Sequence, residues 1–206
     1  MTYEKRNTSM DYANNIGFGI LAVLNALMGG VLLMSYLKLA PFMVAVVALA
    51  FITVAYAFIK LVDKKHYRRL RQVAKVGVLL SVLPILVINI IKMIWGRERF
   101  RHMTAPFSTF TPWYLPQSLT TNNEFMSFPS GHSANSSVIY WITLIPLFLP
   151  SLKKYEKAIS IFSVIWIIMV MLSRVIVGAH FASDVVMGMT LSISIFWLLK
   201  WKFVKE

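Results

Sequence analysis

Cysteine is absent from this sequence, and acidic residues are scarce. Of the 206 residues, none is Cys and 8 are Asp or Glu, and charged residues make up 14% of the chain. The absence of Cys excludes disulfides and thiolate chemistry. A soluble domain is typically about 25% charged, so the low charge content argues against an ordinary soluble domain.

The residues that are present are mainly apolar. Hydrophobic residues make up 58% of the chain, against about 45–50% in a soluble domain. A membrane-spanning helix needs roughly 20 apolar residues, and six runs come close to this length. We predict an all-α membrane protein, a six-transmembrane-helix bundle that forms one membrane-embedded domain over residues 1–206. Its spans are predicted at about 16–37, 41–62, 76–95, 133–150, 158–177 and 182–199.

The basic residues predict the orientation of this bundle. The net charge is +13, and most Lys and Arg fall in four short segments on one side of the six spans. By the positive-inside rule that side is cytoplasmic. We therefore expect a multi-pass protein of a bacterial cell membrane with both termini cytoplasmic and no nucleic-acid partner. The opposite side carries cations that an anionic ligand would explain: Lys38, Lys92, Arg97, Arg99, Arg101 and Arg174.

Two polar segments lie at the predicted extracytoplasmic ends of the spans. Lys92 and Arg99 are seven residues apart after the third span, which places both on one face if the helix continues. Residues 129–132, Pro-Ser-Gly-His, precede the fourth span. A helix N-terminus there would favour a phosphate group. The residues that could cap this helix are Ser130, Ser133 and Asn135.

A third polar segment lies between the fifth and sixth spans. It contains Arg174, followed by His180 and Asp184, which are four residues apart. On a helix the carboxylate of Asp184 would accept the proton-bearing nitrogen of His180 and leave the other nitrogen free as a nucleophile. The three segments together supply two histidines, one carboxylate and three cations, which suits phosphoryl transfer.

The three segments resemble the three motifs of the type 2 phosphatidic acid phosphatase family. The family patterns are Lys-x6-Arg-Pro, Pro-Ser-Gly-His and Ser-Arg-x5-His-x3-Asp. The sequence matches all three in order and spacing, with one departure: Phe100 stands where the family has Pro. This substitution bears on the backbone beside Arg99, since Pro has no chemical role in the reaction.

The resemblance implies a metal-independent phosphatase that hydrolyses a lipid phosphate or diphosphate through a phosphohistidine intermediate. It implies that His180 attacks phosphorus, that Asp184 orients His180, and that His132 protonates the leaving oxygen. It also implies that a separate set of residues holds the phosphate: Lys92, Arg99, Ser130, Gly131 and Arg174. Phosphatidic acid, phosphatidylglycerol phosphate and undecaprenyl diphosphate all fit, and the sequence does not choose between them.

Other readings of the same residues stay open. A lipid phosphotransferase would use the same motifs with an acceptor other than water, and an anion-binding membrane transporter would use the cations without a nucleophile. No cofactor is expected, and no metal, because the acidic residues of the extracytoplasmic side do not cluster in sequence as a Mg²⁺ site requires. Four residues near the first motif are expected to be solvated loop residues: Arg97, Glu98, Arg101 and His102.

Overall fold

The computed structural model describes residues 20, 23–24, 27, 42–105 and 107–204. The predicted first span, 16–37, lies outside the described residues except for four helical positions. The chain divides into two compact units, Met1–Arg68 and Arg69–Glu206, and each is described by itself. The prediction of one domain over the whole chain stays a prediction.

In the first unit, helix α1 (Met43–Leu61) is uniformly apolar until Lys60 in its last turn. It lies within the predicted second span, 41–62. A short 3-10 turn, Lys64–His66, follows it, and the Asp63 carboxylate accepts a hydrogen bond from the Lys65 N–H at its start. An Asp at this position is a common helix cap because it satisfies an otherwise free amide.

The second unit contains four further α-helices joined by loops and 3-10 segments. They are α2 (Tyr67–Trp95, whose first two residues belong to the first unit), α3 (Gly131–Ser137), α4 (Glu156–Ile176) and α5 (Ala182–Phe203). Longer 3-10 segments follow α3 and precede α4, at Val138–Leu147 and Pro150–Tyr155, and single turns lie at Phe100–His102 and Asn123–Phe125. All described elements are helical, as predicted.

Among the described residues, three helical segments are long and apolar enough to cross a membrane: Lys64–His102, Pro150–Ile176 and Ala182–Phe203. The middle segment exposes bulky apolar side chains such as Phe162, Trp166 and Met169. Exposed apolar side chains along a whole helix are expected where lipid is the solvent. The break between the last two segments falls at Gly178, which has φ of +66°, where the sequence predicted it.

Two of the predicted spans differ from the helices. Helix α2 begins at Tyr67, before the predicted residue 76, because Arg, Lys and Gln are good helix formers although they are not apolar. The fourth span, predicted as 133–150, is regular only to Ser137 and then tightens to a 3-10 segment ending at Leu147. The hydroxyls of Ser136 and Ser137 donate to the Ser133 carbonyl oxygen, and such bonds compete with the helix ladder.

A stripe of buried residues on α2 brings its last turn into the core. The stripe has helical spacing and contains Val73, Val76, Leu80, Pro84, Ile88 and Lys92. Since the members recur every three or four residues, they occupy one face. Lys92 is therefore buried by its position on the stripe, and not by a local fold of the loop that follows.

Helix α5 is packed closely against the start of α3. A Cβ atom at Gly188 would lie 2.2 Å from the carbonyl oxygen of Ser130, so only Gly permits this approach. The Ser130 N–H donates to the carbonyl oxygen of Asp184 at 2.9 Å. These contacts fix the Pro-Ser-Gly-His segment directly against the turn of α5 that carries Asp184.

Candidate active site

His180 is buried at the centre of the three polar segments, with 2% of its surface exposed. It precedes α5 in a turn whose geometry depends on the main chain of Arg174, because the Arg174 carbonyl oxygen accepts the N–H groups of Ala179 and His180. Its Nδ1 lies 2.8 Å from the carbonyl oxygen of Ser127. A carbonyl oxygen only accepts, so in the neutral ring Nδ1 carries the proton and Nε2 keeps its lone pair.

Asp184 lies behind this histidine and is fully buried. Its Oδ2 is 3.7 Å from His180 Nδ1 and accepts hydrogen bonds from the Ser127 hydroxyl at 2.6 Å and the Phe181 N–H at 3.0 Å. The sequence predicted that Asp184 would accept the His180 proton directly. The Ser127 carbonyl oxygen is the nearer acceptor, and Asp184 reaches the histidine through Ser127.

Two buried cations lie next to His180. Lys92 and Arg99 are each 8% exposed, and Nη1 of Arg99 is 3.5 Å from Nε2 of His180. Their hydrogen bonds go to neutral oxygens: Lys92 Nζ donates to the Met126 carbonyl at 2.6 Å, and Arg99 donates to Asn123 and to the Ala179 carbonyl. Among the described residues neither cation has a carboxylate within ion-pair distance, and Asp184 acts on both, and Glu124 on Arg99, only through longer-range electrostatics.

The segment 123–127 was not singled out in the sequence, although it supports the site at three points. Its main-chain carbonyls hold Arg99, Lys92 and His180, in that order along the chain. The Asn123 side chain adds a second contact to Arg99 at 3.0 Å. Backbone acceptors occur at every residue, so no residue type could signal these contacts.

His132 differs from His180 in being exposed, although it lies only two residues beyond the buried Ser130. Its ring has no hydrogen-bond partner among the described residues. Ser130 is the capping residue of α3, since its Oγ accepts the Ser133 N–H at 3.3 Å. The roles of Ser130 and Gly131 in holding phosphate stay predictions.

Arg174 is partly buried in the last turn of α4. In the described part of the chain its guanidinium hydrogen-bonds only to the neighbouring Ser173 hydroxyl, at 3.2 Å from Nε. The two terminal nitrogens are therefore available to an anion. A planar guanidinium with free N–H groups is suited to phosphate oxygens.

The electrostatic surroundings lower the pKa of both histidines below the ordinary value. Burial has the largest effect on the pKa of His180, while Asp184 opposes it and Lys92 and Arg99 reinforce it. The His132 ring is exposed, but the protein atoms around it displace part of its hydration, and this desolvation lowers its pKa most, followed by the positive charge of Arg174. Positive surroundings disfavour the imidazolium form in both cases.

Arg97 and Glu98 correct one expectation. The sequence predicted solvated loop residues, but both are buried, with 2% and 8% of their surfaces exposed. Arg97 forms an ion pair with Asp184, and Glu98 contacts His102 Nδ1. Arg101 and His102 are exposed, as predicted. Among the described residues there is no group of three or more His, Cys, Asp or Glu side chains that could hold a metal ion.

Comparison with known families identifies the chain's relatives. The model of the PAP2 superfamily matches residues 72–206, which include all three motif segments. The chain belongs to the PAP2 superfamily. Its match to this superfamily begins within α2, so it covers the whole of the site described above.

A curated relative in the PAP2 superfamily is phosphatidylglycerophosphatase B of Bacillus subtilis, which is 40% identical over 76 residues. That alignment covers 36% of this chain and 37% of the relative. A solved structure of a transmembrane PAP2-type phosphatidylglycerolphosphate phosphatase, also from Bacillus subtilis, is similar at 22% identity with a TM-score of 0.43. The similarity covers 93% of this chain and 94% of that one.

Proposed function

We propose that the protein is a membrane phosphatase that hydrolyses a lipid phosphate or diphosphate through a phosphohistidine at His180. The single observation that carries the proposal is the pair of buried cations, Lys92 and Arg99, beside a histidine whose Nε2 keeps its lone pair. A buried charge without a counter-ion costs several kcal/mol. A substrate phosphate would supply the negative charge that balances Lys92 and Arg99, which explains why two cations are buried next to a nucleophile.

The reaction would proceed in two balanced steps. In the first, the Nε2 lone pair of His180 attacks phosphorus, the bond from phosphorus to the lipid oxygen breaks, and protonated His132 gives its proton to that oxygen. In the second, neutral His132 takes a proton from water, the water oxygen attacks phosphorus, and the N–P bond breaks to release phosphate. Lys92, Arg99 and Arg174 would stabilise the charge on the phosphoryl oxygens in both transition states.

An apolar groove beside the site supports a lipid as the substrate. It encloses about 420 Å³ and is lined by the first two turns of α5 together with one loop tryptophan: Trp113, Ala182, Ser183, Val186, Met187 and Thr190. Ser183 precedes Asp184 in the sequence, and the groove extends along a helix that could cross the membrane.

The charge distribution supports the six-span arrangement with both termini cytoplasmic and the site extracytoplasmic. Substrates that meet this description include phosphatidic acid, phosphatidylglycerol phosphate and undecaprenyl diphosphate. The first of these carries a phosphomonoester on a diacylglycerol, the second on a polar headgroup, and the third a diphosphate on a polyprenyl chain. The name of the curated relative makes phosphatidylglycerol phosphate the first lipid to test here.

The proposal is tested by measuring phosphate release from these three lipids by the purified protein in detergent and EDTA. We expect release from at least one lipid and a loss of about 10⁴-fold or more in His180→Ala, because the nucleophile is removed. His66→Ala is the matched control: it makes the same chemical change in the 3-10 turn of the first unit. We expect wild-type activity from it.

The alternatives predict different outcomes. A transporter or other anion-binding protein would release no phosphate, and His180→Ala would still bind the lipid. A phosphotransferase would consume the lipid without a matching amount of inorganic phosphate unless an acceptor were supplied. Release that persists in His180→Ala would contradict the phosphohistidine, and release abolished by EDTA would contradict a reaction without metal.

A further inference from the structure

The buried side chain of Arg97 contacts several other residues of the second unit. Its guanidinium forms an ion pair with Asp184 Oδ1 through Nη1, which also donates to the Ser183 hydroxyl at 2.9 Å. Its Nε donates to the Thr111 carbonyl oxygen at 3.1 Å, and its Cζ lies 4.1 Å from the centre of the Phe181 ring. These partners come from the connection between α2 and α3 (residues 96–130) and from the start of α5, so Arg97 joins the two.

The carboxylate that Arg97 contacts is fully engaged on both oxygens. Oδ1 of Asp184 is paired with Arg97, while Oδ2 accepts from the Ser127 hydroxyl and the Phe181 N–H. Ser127 in turn holds Nδ1 of His180 through its carbonyl oxygen. A chain of contacts therefore runs from Arg97 through Asp184 and Ser127 to the nucleophile.

We propose that Arg97 is the positioning residue of the nucleophile, which keeps Asp184 ionised and charge-balanced so that Ser127 and His180 are held in place. The proposal rests on the proposed function, because it concerns the same site. We do not assign Arg97 to phosphate binding, since its side chain is 2% exposed and its Nε and Nη1 donate to protein oxygens. Lys92 and Arg99 differ from it in lacking a carboxylate partner among the described residues.

The charge of Arg97 matters because of the distance between Asp184 and His180. Without Arg97, the carboxylate would lose its ion-pair partner 3.7 Å from Nδ1 of His180 and would keep only the longer-range charges of Lys92 and Arg99. A nearby uncompensated anion favours the imidazolium form of a histidine. The Asp184–His180 pair would then take up a proton at a higher pH, and a protonated His180 cannot attack phosphorus.

Several other charged groups face His180 and stay unchanged in this comparison. They come from the neighbouring elements: Lys92 on α2, Arg99 in the following loop, His132 on α3 and Arg174 on α4. All four are cations or can become cations, so they act against the imidazolium. Among the described residues, Asp184 is the carboxylate that lies beside the His180 ring. The protonation of His180 therefore depends on how far Arg97 balances the negative charge of Asp184.

The experiment compares Arg97→Met with wild type by following kcat/KM against pH on the preferred lipid. We expect the acid limb of Arg97→Met to move to higher pH by about one pH unit, and kcat to fall while KM changes little. Arg97→Lys keeps the charge but loses the planar fork. We expect it to keep the acid limb of wild type with a lower kcat, which a purely structural role would not predict.

Arg101→Met is the matched control. Arg101 is two residues beyond Arg99, is exposed, and pairs with Glu124 at 2.9 Å on the surface, so it loses the same charge outside the site. We expect its pH profile to match wild type. An acid limb of Arg97→Met that coincides with that of wild type would overturn the inference while leaving the phosphatase intact. A wild type that releases no phosphate would instead overturn the proposed function.

Thermal unfolding provides a test that does not depend on activity. We expect Arg97→Met and Asp184→Asn each to lower the melting temperature, because each leaves a buried charge alone. The double variant Arg97→Met/Asp184→Asn should be more stable than the sum of the single effects predicts, since it leaves neither charge. Strictly additive losses would show that the two side chains do not act as a unit and would overturn the inference.

Discussion

The two histidine-bearing regions of the site are built differently. His180 is 2% exposed, its Nδ1 is held by a carbonyl oxygen, and its turn is hydrogen-bonded to α4. His132 is exposed at the first turn of α3 and has no hydrogen-bond partner among the described residues. Of these two histidines, only His180 has an orienting carboxylate four residues away in the sequence, and the structure adds that its ring has a fixed orientation whereas the ring of His132 makes no hydrogen bond to the described residues.

This difference corresponds to two chemical tasks. A nucleophile must approach phosphorus along one direction, so its ring benefits from being fixed before substrate binds. A general acid must reach whichever leaving oxygen the substrate presents and must exchange its proton with water between turnovers. Exposure suits the second task and would harm the first, because a mobile nucleophile would seldom be aligned.

The largest expected effect separates the two tasks directly. His132→Ala should lower kcat/KM for the lipid substrate by about 10²–10⁴-fold, because the leaving alkoxide loses its proton donor. With an aryl phosphate, whose leaving group needs no proton, the loss should be small. His180→Ala should abolish both activities. The assay is phosphate release at a series of substrate concentrations. A fall in kcat/KM by the same factor with both substrates in His132→Ala would contradict the role of His132 as proton donor.

A second effect concerns how the two regions are joined. Gly188→Ala would place a Cβ 2.2 Å from the Ser130 carbonyl oxygen and 3.1 Å from the Ser130 carbonyl carbon. The Pro-Ser-Gly-His segment would have to move away from α5 and lose its hydrogen bond to the Asp184 carbonyl. We expect a loss of about 1–3 kcal/mol in the free energy of unfolding, together with reduced activity. Thermal unfolding in detergent would measure the first quantity.

Gly131→Ala is the matched control for this substitution. A Cβ at Gly131 would meet only Lys92 Cε at 3.8 Å and Ile88 Cγ2 at 4.0 Å, which are ordinary contacts. We expect its stability to equal or exceed that of wild type, because Ala is the better helix former. Loss of activity in Gly131→Ala at unchanged stability would indicate that the ligand needs the space. A destabilisation equal to that of Gly188→Ala would contradict the packing argument.

The sequence predicted the members of the site better than the contacts between them. The order of the motifs indicated that Arg99, His180 and Asp184 belong together, but α2 ends at Trp95, so Lys92 and Arg99 do not share the single helix face that their spacing predicted. The carbonyls that orient Lys92, Arg99 and His180 could not be predicted, because every residue carries one. Arg97 was mistaken for a solvated residue, since a loop arginine near aromatic residues has the same pattern whether it faces water or a buried carboxylate.

The fold was predictable to a similar extent. Long apolar runs indicated the helices of the second unit, and Gly178 indicated the break before α5. The early start of α2 was missed because the basic residues Arg68–Arg71 form helix although they are not apolar. The 3-10 geometry after Ser137 was missed because it arises from hydroxyl groups that bond back to the helix.

The smallest expected effect is a displacement of the pH profile on binding. In the free protein the pKa of His132 is lowered by desolvation and by the positive charges around it, and the pKa of His180 is lowered mainly by burial. A bound phosphate brings negative charge next to the same cations and raises both values. In the first step of the proposed reaction His180 must be neutral and His132 protonated, so we expect them to set the acid and the basic limb respectively. Both limbs should therefore lie at higher pH in kcat than in kcat/KM.

We expect the basic limb to move further, by about one pH unit, because no carboxylate among the described residues offsets the cations around His132, whereas Asp184 already does so for His180. The profiles of kcat and kcat/KM report the bound and the free protein respectively, and both come from one set of rate measurements. In His132→Ala with an aryl phosphate, the basic limb should vanish while the acid limb stays. An unchanged basic limb in that variant would mean that another group donates the proton, and the contrast between the two histidines would then be one of exposure alone.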